Sequence, residues 1–456
     1  MNPSESPSSS RSSGFESMQV AVQNRTAQVV VMGLGAVGLA LVRLLLDAGF
    51  SVLGVDPGEG IVGTLRAGRS PMRHFPDSWC VDMAGHKALR LVEALPADGL
   101  NSTPHVAVIC VPTPLRADGD PDLGAVRAAT ESLASALSGL ALVSLESTTY
   151  PGTTREVLLP ILEAAGHRRA PEDQRNLWLA FAPERVNPGG EDPAARHAPR
   201  LVGGFDGASG DLAAAFYSAL GFETRRTQTP EVAEAAKLVE NVYRAVNIAL
   251  VNELKVSLAA QGIDIWQVLD AAETKPFGFQ RFNPGPGAGG SCIPIDPRYL
   301  EFSARRAGSP VRLVELAGQI DASMAEHVVE VCVQALASKH KTLHGSGVLL
   351  LGVAYKADVD IITESPALRI AGTLAQLGAQ VAYHDPHVPG PLAGMGLVNP
   401  ESVHWSPALF EQFDLFVLVT DHAALPYSEI EQGAPLIVDT RGHATLRKAG
   451  SRYFPA

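Results

Sequence analysis

Four glycines stand among the six residues Gly285-Pro286-Gly287-Ala288-Gly289-Gly290, and Ser291-Cys292-Ile293-Pro294-Ile295-Asp296-Pro297 follows at once. Glycine permits positive φ and close backbone approach at an entropic cost. A run this dense is either a flexible loop or a backbone shaped around a ligand. The segment after it is apolar and stiff, because its prolines fix φ, and a loose linker does not end that way. The expectation is that a substrate lies against the glycine main chain, with Cys292 as nucleophile and Asp296 four residues on. The plainer alternative is a cysteine packed as a small hydrophobe.

A second stretch with chemistry in it lies near the start. Residues 27–32, Ala-Gln-Val-Val-Val-Met, have the β-branched composition of a buried parallel strand. Gly33-Leu34-Gly35-Ala36-Val37-Gly38 follows, then a helix over 39–48 closed by Gly49, then a strand over 51–55 ending at Asp56. This is GxGxxG in the context it requires, with an acid about 20 residues on. Gly33 makes the tight turn, Gly35 lets the backbone approach a pyrophosphate, and Gly38 packs the helix on the strand. The helix N-terminus offers N–H groups and positive dipole to phosphate. Asp56 accepts from a ribose 2′-OH and repels a 2′-phosphate, which favours NAD over NADP. The bland alternative is a tight turn without a ligand.

A third set lies on a helix expected from Thr229-Pro230, as N-cap and N1, to about residue 260, with Gly262 as its stop. About 30 residues span roughly 45 Å, a length that suits a link between two domains or a subunit interface. Lys237, Asn241 and Arg244 share one face. Val239, Val242, Val246 and Leu250 line another. A solvated stripe is the ordinary fate of such polar residues. Against it, asparagine is a poor helix former, yet Asn241, Asn247 and Asn252 recur in a mostly apolar helix.

The elements that must position these residues alternate between strand and helix. Strands are expected over 105–111, 141–145, 177–181 and 200–202, and helices near 123–138, 153–165 and 211–220. That alternation makes a doubly wound parallel sheet, with ligands at the carboxyl ends of its strands. Three polar clusters fall at those ends, over 111–114, 146–154 and 182–189. Helix is expected over 301–337, broken at 308–310. A second α/β unit begins at Gly347, with strands over 348–352, 380–383, 414–419 and 435–438 and a helix over 364–377 capped by Thr363. Its first turn, Gly352-Val353-Ala354-Tyr355-Lys356, is not GxGxxG, so it should bind something other than a second dinucleotide. The fold class is α/β: two Rossmann-like doubly wound domains joined by a long central helix and a helical middle domain. The expected boundaries are a disordered tail over 1–24, then 25–225, 226–338 and 339–456.

Composition narrows the function. A net charge of −12 and no Lys/Arg run argue against nucleic acid as partner. Cys80, Cys110, Cys292 and Cys332 are far apart without CxxC spacing, which suits a reducing compartment. His384 and His387 beside prolines read as a loop, and no metal is expected. The Ser-rich start has no apolar core of a signal peptide, and no run of 18 apolar residues exists. The expected location is the cytoplasm, with no membrane partner.

The motifs Gly33–Gly38, Ser147-Thr148, Pro183-Glu184, Lys237-Leu-Val-Glu-Asn241, Gly289-Gly290-Ser291-Cys292 with Asp296, and Gly352-Val-Ala-Tyr-Lys356 occur in one order. Together they resemble the UDP-glucose/GDP-mannose dehydrogenase family over residues 27–445. The stretches 244–253, 274–278 and 284–287 look most like UDP-N-acetylglucosamine 6-dehydrogenases. Ser291 stands where that subgroup usually has His, as in UDP-glucose dehydrogenases. The resemblance implies oxidation of a sugar C6 alcohol to the acid with two NAD, on a UDP-N-acetylhexosamine, with UDP-glucose as the alternative. It implies that Lys237 and Asn241 stabilise a developing alkoxide. Cys292 would form a thiohemiacetal and then a thioester, while Asp296 with Thr148 holds the hydrolytic water and Glu184 handles protons. The cofactor set is Gly33, Gly35, Val37, Gly38, Asp56, Val111, Thr113, Thr148 and Lys356. Glu184, Arg185, Lys237, Asn241, Arg244, Gly289 and Arg441 are expected around the substrate, in a homodimer formed through the long helix. A two-electron 3-hydroxyacid-type dehydrogenase shares the first domain and the Lys/Asn pair, but needs neither the cysteine nor a second α/β domain. A binding protein that has lost its chemistry would not need Lys237, Asn241, Cys292, Asp296 and Glu184 together.

Overall fold

The computed structural model describes residues 14–72, 75–101, 104–169, 175–185, 198–392 and 396–456. The chain forms two compact units, Met1–Leu238 and Val239–Ala456.

The first unit is built on strands β1 (Gln28–Met32), β2 (Ser51–Val55), β3 (Leu89–Val92), β4 (His105–Ile109), β5 (Ala141–Leu145), β6 (Leu177–Phe181), β7 (Arg200–Gly204) and β8 (Thr224–Thr227). Their order in the sheet is β3-β2-β1-β4-β5-β6-β7-β8. Every residue of β4, β5 and β6 is buried, as a strand covered on both faces requires. Met32 pairs with Val55 and Ile109, Ile109 with Leu145, and Leu145 with Phe181. The carboxyl ends are therefore level, and the loops after β1, β2, β4, β5 and β6 emerge along one edge. Sequential order reverses between β1 and β4, the crevice where doubly wound sheets take ligands.

Two features depart from expectation. The sheet is not parallel throughout: β7 runs antiparallel to β6, with Ala180 opposite Gly204 and Phe181 opposite Gly203, and β8 follows β7. Strand propensity carries no direction, so the reversal was invisible in sequence. Residues 14–24 do not belong to a disordered tail. Gly14–Gln23 is a helix that buries Met18, Ala21 and Val22 in the core beside Trp178 and Phe216. Spacing of i, i+3 and i+4 puts those three side chains on one face. Residues 1–13 lie outside the described part.

The long helix, Pro230–Ala259, contains the boundary between the units. After it come helices Ile265–Glu273, Asp296–Arg306 and Arg312–Ala337, the last two separated at Gly308 (φ +71°). The second sheet is all parallel, ordered β10-β9-β11-β12-β13. Its strands are β9 (Gly347–Leu351), β10 (Gln380–His384), β11 (Leu415–Leu418), β12 (Ile437–Asp439) and β13 (Tyr453–Pro455). The helix after β9 is Pro366–Gln376. Its cap is Ser365, which accepts from the Ala367 N–H, with Pro366 at N1; Thr363 is not the cap, because the helix starts two residues later than expected. No helix among the described residues is long and apolar enough to cross a membrane.

Candidate active site

The turn after β1 has the shape a dinucleotide needs. Gly33 takes φ +96°, and a Cβ there would meet the Cys110 carbonyl oxygen at 2.7 Å. A Cβ on Gly38 would lie 1.9 Å from the Gly33 oxygen, so this glycine protects the turn itself. A Cβ on Gly35 would meet nothing within 4 Å, and no side chain caps the helix Ala36–Asp47 that starts beside it. Open backbone at an uncapped helix start suits a pyrophosphate. Asp56 ends β2, and its two oxygens accept the Leu34 and Gly58 N–H groups, each at 2.7 Å. A carboxylate has about four acceptor positions, so two remain for ribose. Val37, Val111 and Thr113 are half-buried beside this turn and after β4. Ser147 ties the neighbouring loops together by donating to the Val111 carbonyl at 2.7 Å. These features fit NAD.

Beneath the strand ends lies a buried ionic network that sequence reading missed. Arg200 Nη2 meets Glu184 Oε2 at 2.8 Å and Nη1 meets Glu146 Oε2 at 3.5 Å. Tyr217 donates to Glu146 at 2.8 Å and pairs with Ser144 at 2.8 Å. Burial pushes the Glu146 carboxyl up, against the attraction of Arg200. Burial, then the Glu146 charge, keeps the Cys110 thiol well above its ordinary range. The Arg185 N–H donates to Glu184 Oε1 at 2.8 Å, and its guanidinium to the Pro199 carbonyl at 2.7 Å. The third polar cluster continues over 186–189, outside the described residues.

Thr148 is half-buried in the loop after β5. That loop is fastened to the long helix by Glu234, which accepts from the N–H groups of Gly152 (2.6 Å) and Thr154 (2.9 Å) and from the Thr154 hydroxyl (2.6 Å). Burial lifts the Glu234 carboxyl to about 7. The fastened segment continues as a π-helical turn, Thr154–Leu158. Pro160 follows, and its ring would clash with the Glu156 carbonyl in a regular helix. Lys237 lies one turn beyond Glu234, half-buried.

In the second unit Asn241 donates to Asp296. Asp296 is buried and opens its helix, and its N–H donates to the Cys292 carbonyl at 2.9 Å. Cys292 is exposed and forms no disulfide. The glycine loop before it is held at several points. The Gly285 N–H donates to Asn252 at 2.8 Å, the Ala288 N–H to Asp321 at 2.8 Å, and the Gly290 N–H to the Thr363 carbonyl at 2.9 Å. A Cβ on Gly289 would meet Tyr355 at 2.8 Å and the Glu364 carbonyl at 3.0 Å; on Gly290, the Tyr355 ring at 2.8 Å. Protein neighbours thus account for these glycines, where sequence reading invoked substrate contact. Lys255 is buried under the loop and donates to the Gly285 carbonyl at 3.4 Å. Burial, then the Arg441 charge, brings its amine down to about 7. Among the described residues Asn247 bonds back to its own helix, through the Tyr243 carbonyl.

Arg244 is exposed, yet its charge reaches Tyr355 and Lys356. Burial, then Arg244, lowers the Lys356 amine. Burial, then the Cys292 charge, raises the Tyr355 phenol. Arg441 donates to the Val419 carbonyl at 2.7 Å, in a turn whose N–H groups converge on Asp439. Gly352 (φ +78°) repeats the role of Gly33, packing on the Thr420 carbonyl. Asp385 ends β10 as Asp56 ends β2, but it is filled: it takes N–H groups of Val353, Ala354, His387 and Val388, and His422. Burial works against the carboxylate, but these partners hold it down at about 2. No acceptor position is left for a ribose. Asp358, His387 and His422 lie close together. His422 Nδ1 accepts the Asp358 N–H and Nε2 faces Asp385, so the group serves as a polar anchor and no metal is assigned.

A Gly-rich nucleotide turn on one Rossmann unit, with a filled and altered turn on a second, defines an NAD-dependent oxidoreductase with a separate domain for its other ligand. Three models of the UDP-glucose/GDP-mannose dehydrogenase family match in succession: the NAD binding domain over 27–221, the central domain over 231–323 and the UDP binding domain over 349–445. The chain belongs to this family of NAD-dependent nucleotide-sugar dehydrogenases. It is 32% identical to UDP-N-acetyl-D-glucosamine 6-dehydrogenase of Pseudomonas aeruginosa, over 79% of this chain and 83% of that one. It is 32% identical to UDP-N-acetyl-D-mannosamine dehydrogenase of Methanocaldococcus jannaschii, over 78% and 79%. Among solved structures it is similar to UDP-D-ManNAc dehydrogenase from Pyrococcus horikoshii, with a TM-score of 0.79, 26% identity, and 91% and 95% coverage.

Proposed function

We propose that the protein oxidises the C6 alcohol of a UDP-N-acetylhexosamine to the carboxylate, through a covalent bond to Cys292. One observation carries the reading: an exposed thiol ends a glycine loop held at several points, one turn before buried Asp296, which half-buried Asn241 holds by a hydrogen bond. The UDP binding domain and the names of the relatives support the substrate class. Bound NAD supplies the hydride acceptor for each of two oxidations.

The chain's own groups do the rest. Lys237 stabilises negative charge on the C6 oxygen, and Asn241 orients Asp296. The Cys292 thiolate bonds to C6 of the aldehyde, and the thiohemiacetal formed is oxidised to a thioester. Asp296 and Thr148 orient water; Glu184 handles protons. Water breaks the C–S bond and returns the thiolate. The balance per sugar is two NAD and one water consumed, with two NADH, one carboxylate and three protons released. Asp56 selects NAD, Arg185 and Arg244 serve the substrate, and Lys356 and Arg441 contact phosphate. Val239, Tyr243, Leu250 and Leu254 stand exposed along one face of the long helix, which supports a homodimer through it.

A panel of UDP-sugars tests the reading. Turnover is expected with at least one of UDP-GlcNAc, UDP-GalNAc or UDP-ManNAc, faster than with UDP-glucose. Ser291 beside Cys292 favours UDP-glucose by likeness, and faster turnover of that sugar would replace the N-acetylhexosamine assignment.

A further inference from the structure

We propose that Arg200 is a positioning residue for Glu184, anchored from below by Glu146; this rests on the reading of Glu184 as a proton-handling group. The reversed strand delivers it. With Phe181 opposite Gly203 and Ala180 opposite Gly204, continuing the antiparallel register puts Arg200 opposite Glu184. A parallel β7 would begin at the other end of the sheet.

The contacts have a direction. Arg200 is 3% exposed, and its plane lies over the rings of Phe222 and Tyr217, at 4.6 and 5.2 Å. Its Nη1 meets the Pro183 carbonyl at 3.0 Å and Glu146 at 3.5 Å. Glu146 is in turn fixed by Tyr217, and Tyr217 by Ser144. Only the Glu184 end reaches solvent, with a side chain 24% exposed. Buried ion pairs are often no more stabilising than apolar replacements, so stability alone is a weak reason for this arrangement. An arginine held on its buried side fixes the carboxylate on its open side, in charge and in orientation. Among the described residues, the charged and titratable groups around Glu184 include Arg200, Glu146, Cys110, Tyr217 and the adjacent Arg185. Without Arg200, Glu146 and Glu184 would face each other as like charges with no cation between them.

The test uses the full chain with NAD and the UDP-sugar it turns over, following kcat, KM and Tm against pH. Glu184→Gln is expected to lower kcat at least tenfold. Arg200→Met is expected to lower kcat at least tenfold and leave KM for NAD within twofold. Arg200→Lys should recover part of the rate. Arg200→Met leaves Glu146 buried and unpaired, which costs stability. Arg200→Met with Glu146→Gln removes that charge, so Tm should recover while kcat stays low. Arg200→Met in the Glu184→Gln background should add no further loss. Recovery of kcat together with Tm in the double variant would overturn the proposal and leave Arg200 structural. Wild-type kcat in Glu184→Gln would instead overturn the role of Glu184, whatever Arg200 does.

Discussion

At the scale of residues, the chemistry rests on which groups are exposed and which are held. Cys292 is exposed, Cys110 is partly so, and Cys80 and Cys332 are buried; burial and the Glu146 charge hold the Cys110 thiol well above its ordinary range, which leaves Cys292 as the nucleophile of the proposed reaction. Cys292→Ala should still bind NAD and UDP-sugar but lose acid formation by at least ~10³, about 4 kcal/mol in the barrier. Rates of acid formation under saturating substrates check this, and near wild-type rate would remove the nucleophile. Glu234 has a different signature. Its folded-state pKa is raised from 4.5 to about 7, so the folded state binds the proton more tightly than the unfolded one. Stability should fall as pH rises from 4.5 to 7, by up to roughly 3–4 kcal/mol for 2.5 units at about 1.4 each. Lys255, lowered from 10.5 to about 7, acts in the next window, where stability should rise with pH. Denaturant titrations at pH 5 and 7 should show the Glu234 slope in the wild type and lose it in Glu234→Gln. An unchanged slope would mean the carboxyl titrates normally.

At the scale of elements, what was legible depended on local pattern. The Gly33 turn and Asp56 could be read because spacing alone fixes a βα turn. The long helix was bounded correctly because Pro230 and Gly262 punctuate it. Strands β3 and β8 were missed because they are short edge strands whose side chains are mostly not buried, with Arg90, Arg225 and Arg226 facing out. The supports of the glycine loop were missed for another reason: Asn252 and Asp321 lie 33 residues from their partners Gly285 and Ala288, and no local pattern announces such a bond. Asn252 alone left a trace, as an asparagine in an apolar helix. The helix Gly14–Gln23 was hidden by its Ser-rich surroundings. Met18 is fully buried in it. Met18→Ala should therefore cost about 2 kcal/mol and lower Tm by roughly 4–8 °C, as thermal unfolding would show. A tail would give no change.

At the scale of the whole molecule, the exposed stripe of Val239, Tyr243, Leu250 and Leu254 is the kind of apolar surface that a second copy covers. Light scattering should find a dimer, and Leu250→Glu with Leu254→Glu a monomer; a monomeric wild type would remove this interface. The central claim is one active centre that takes a sugar alcohol to the acid without releasing the aldehyde. The most direct measurement is the number of NADH formed per UDP-sugar consumed, with the product weighed by mass spectrometry. The account predicts two NADH per sugar and a uronic acid as product. One NADH per sugar, with an aldehyde or ketone as product, would contradict it.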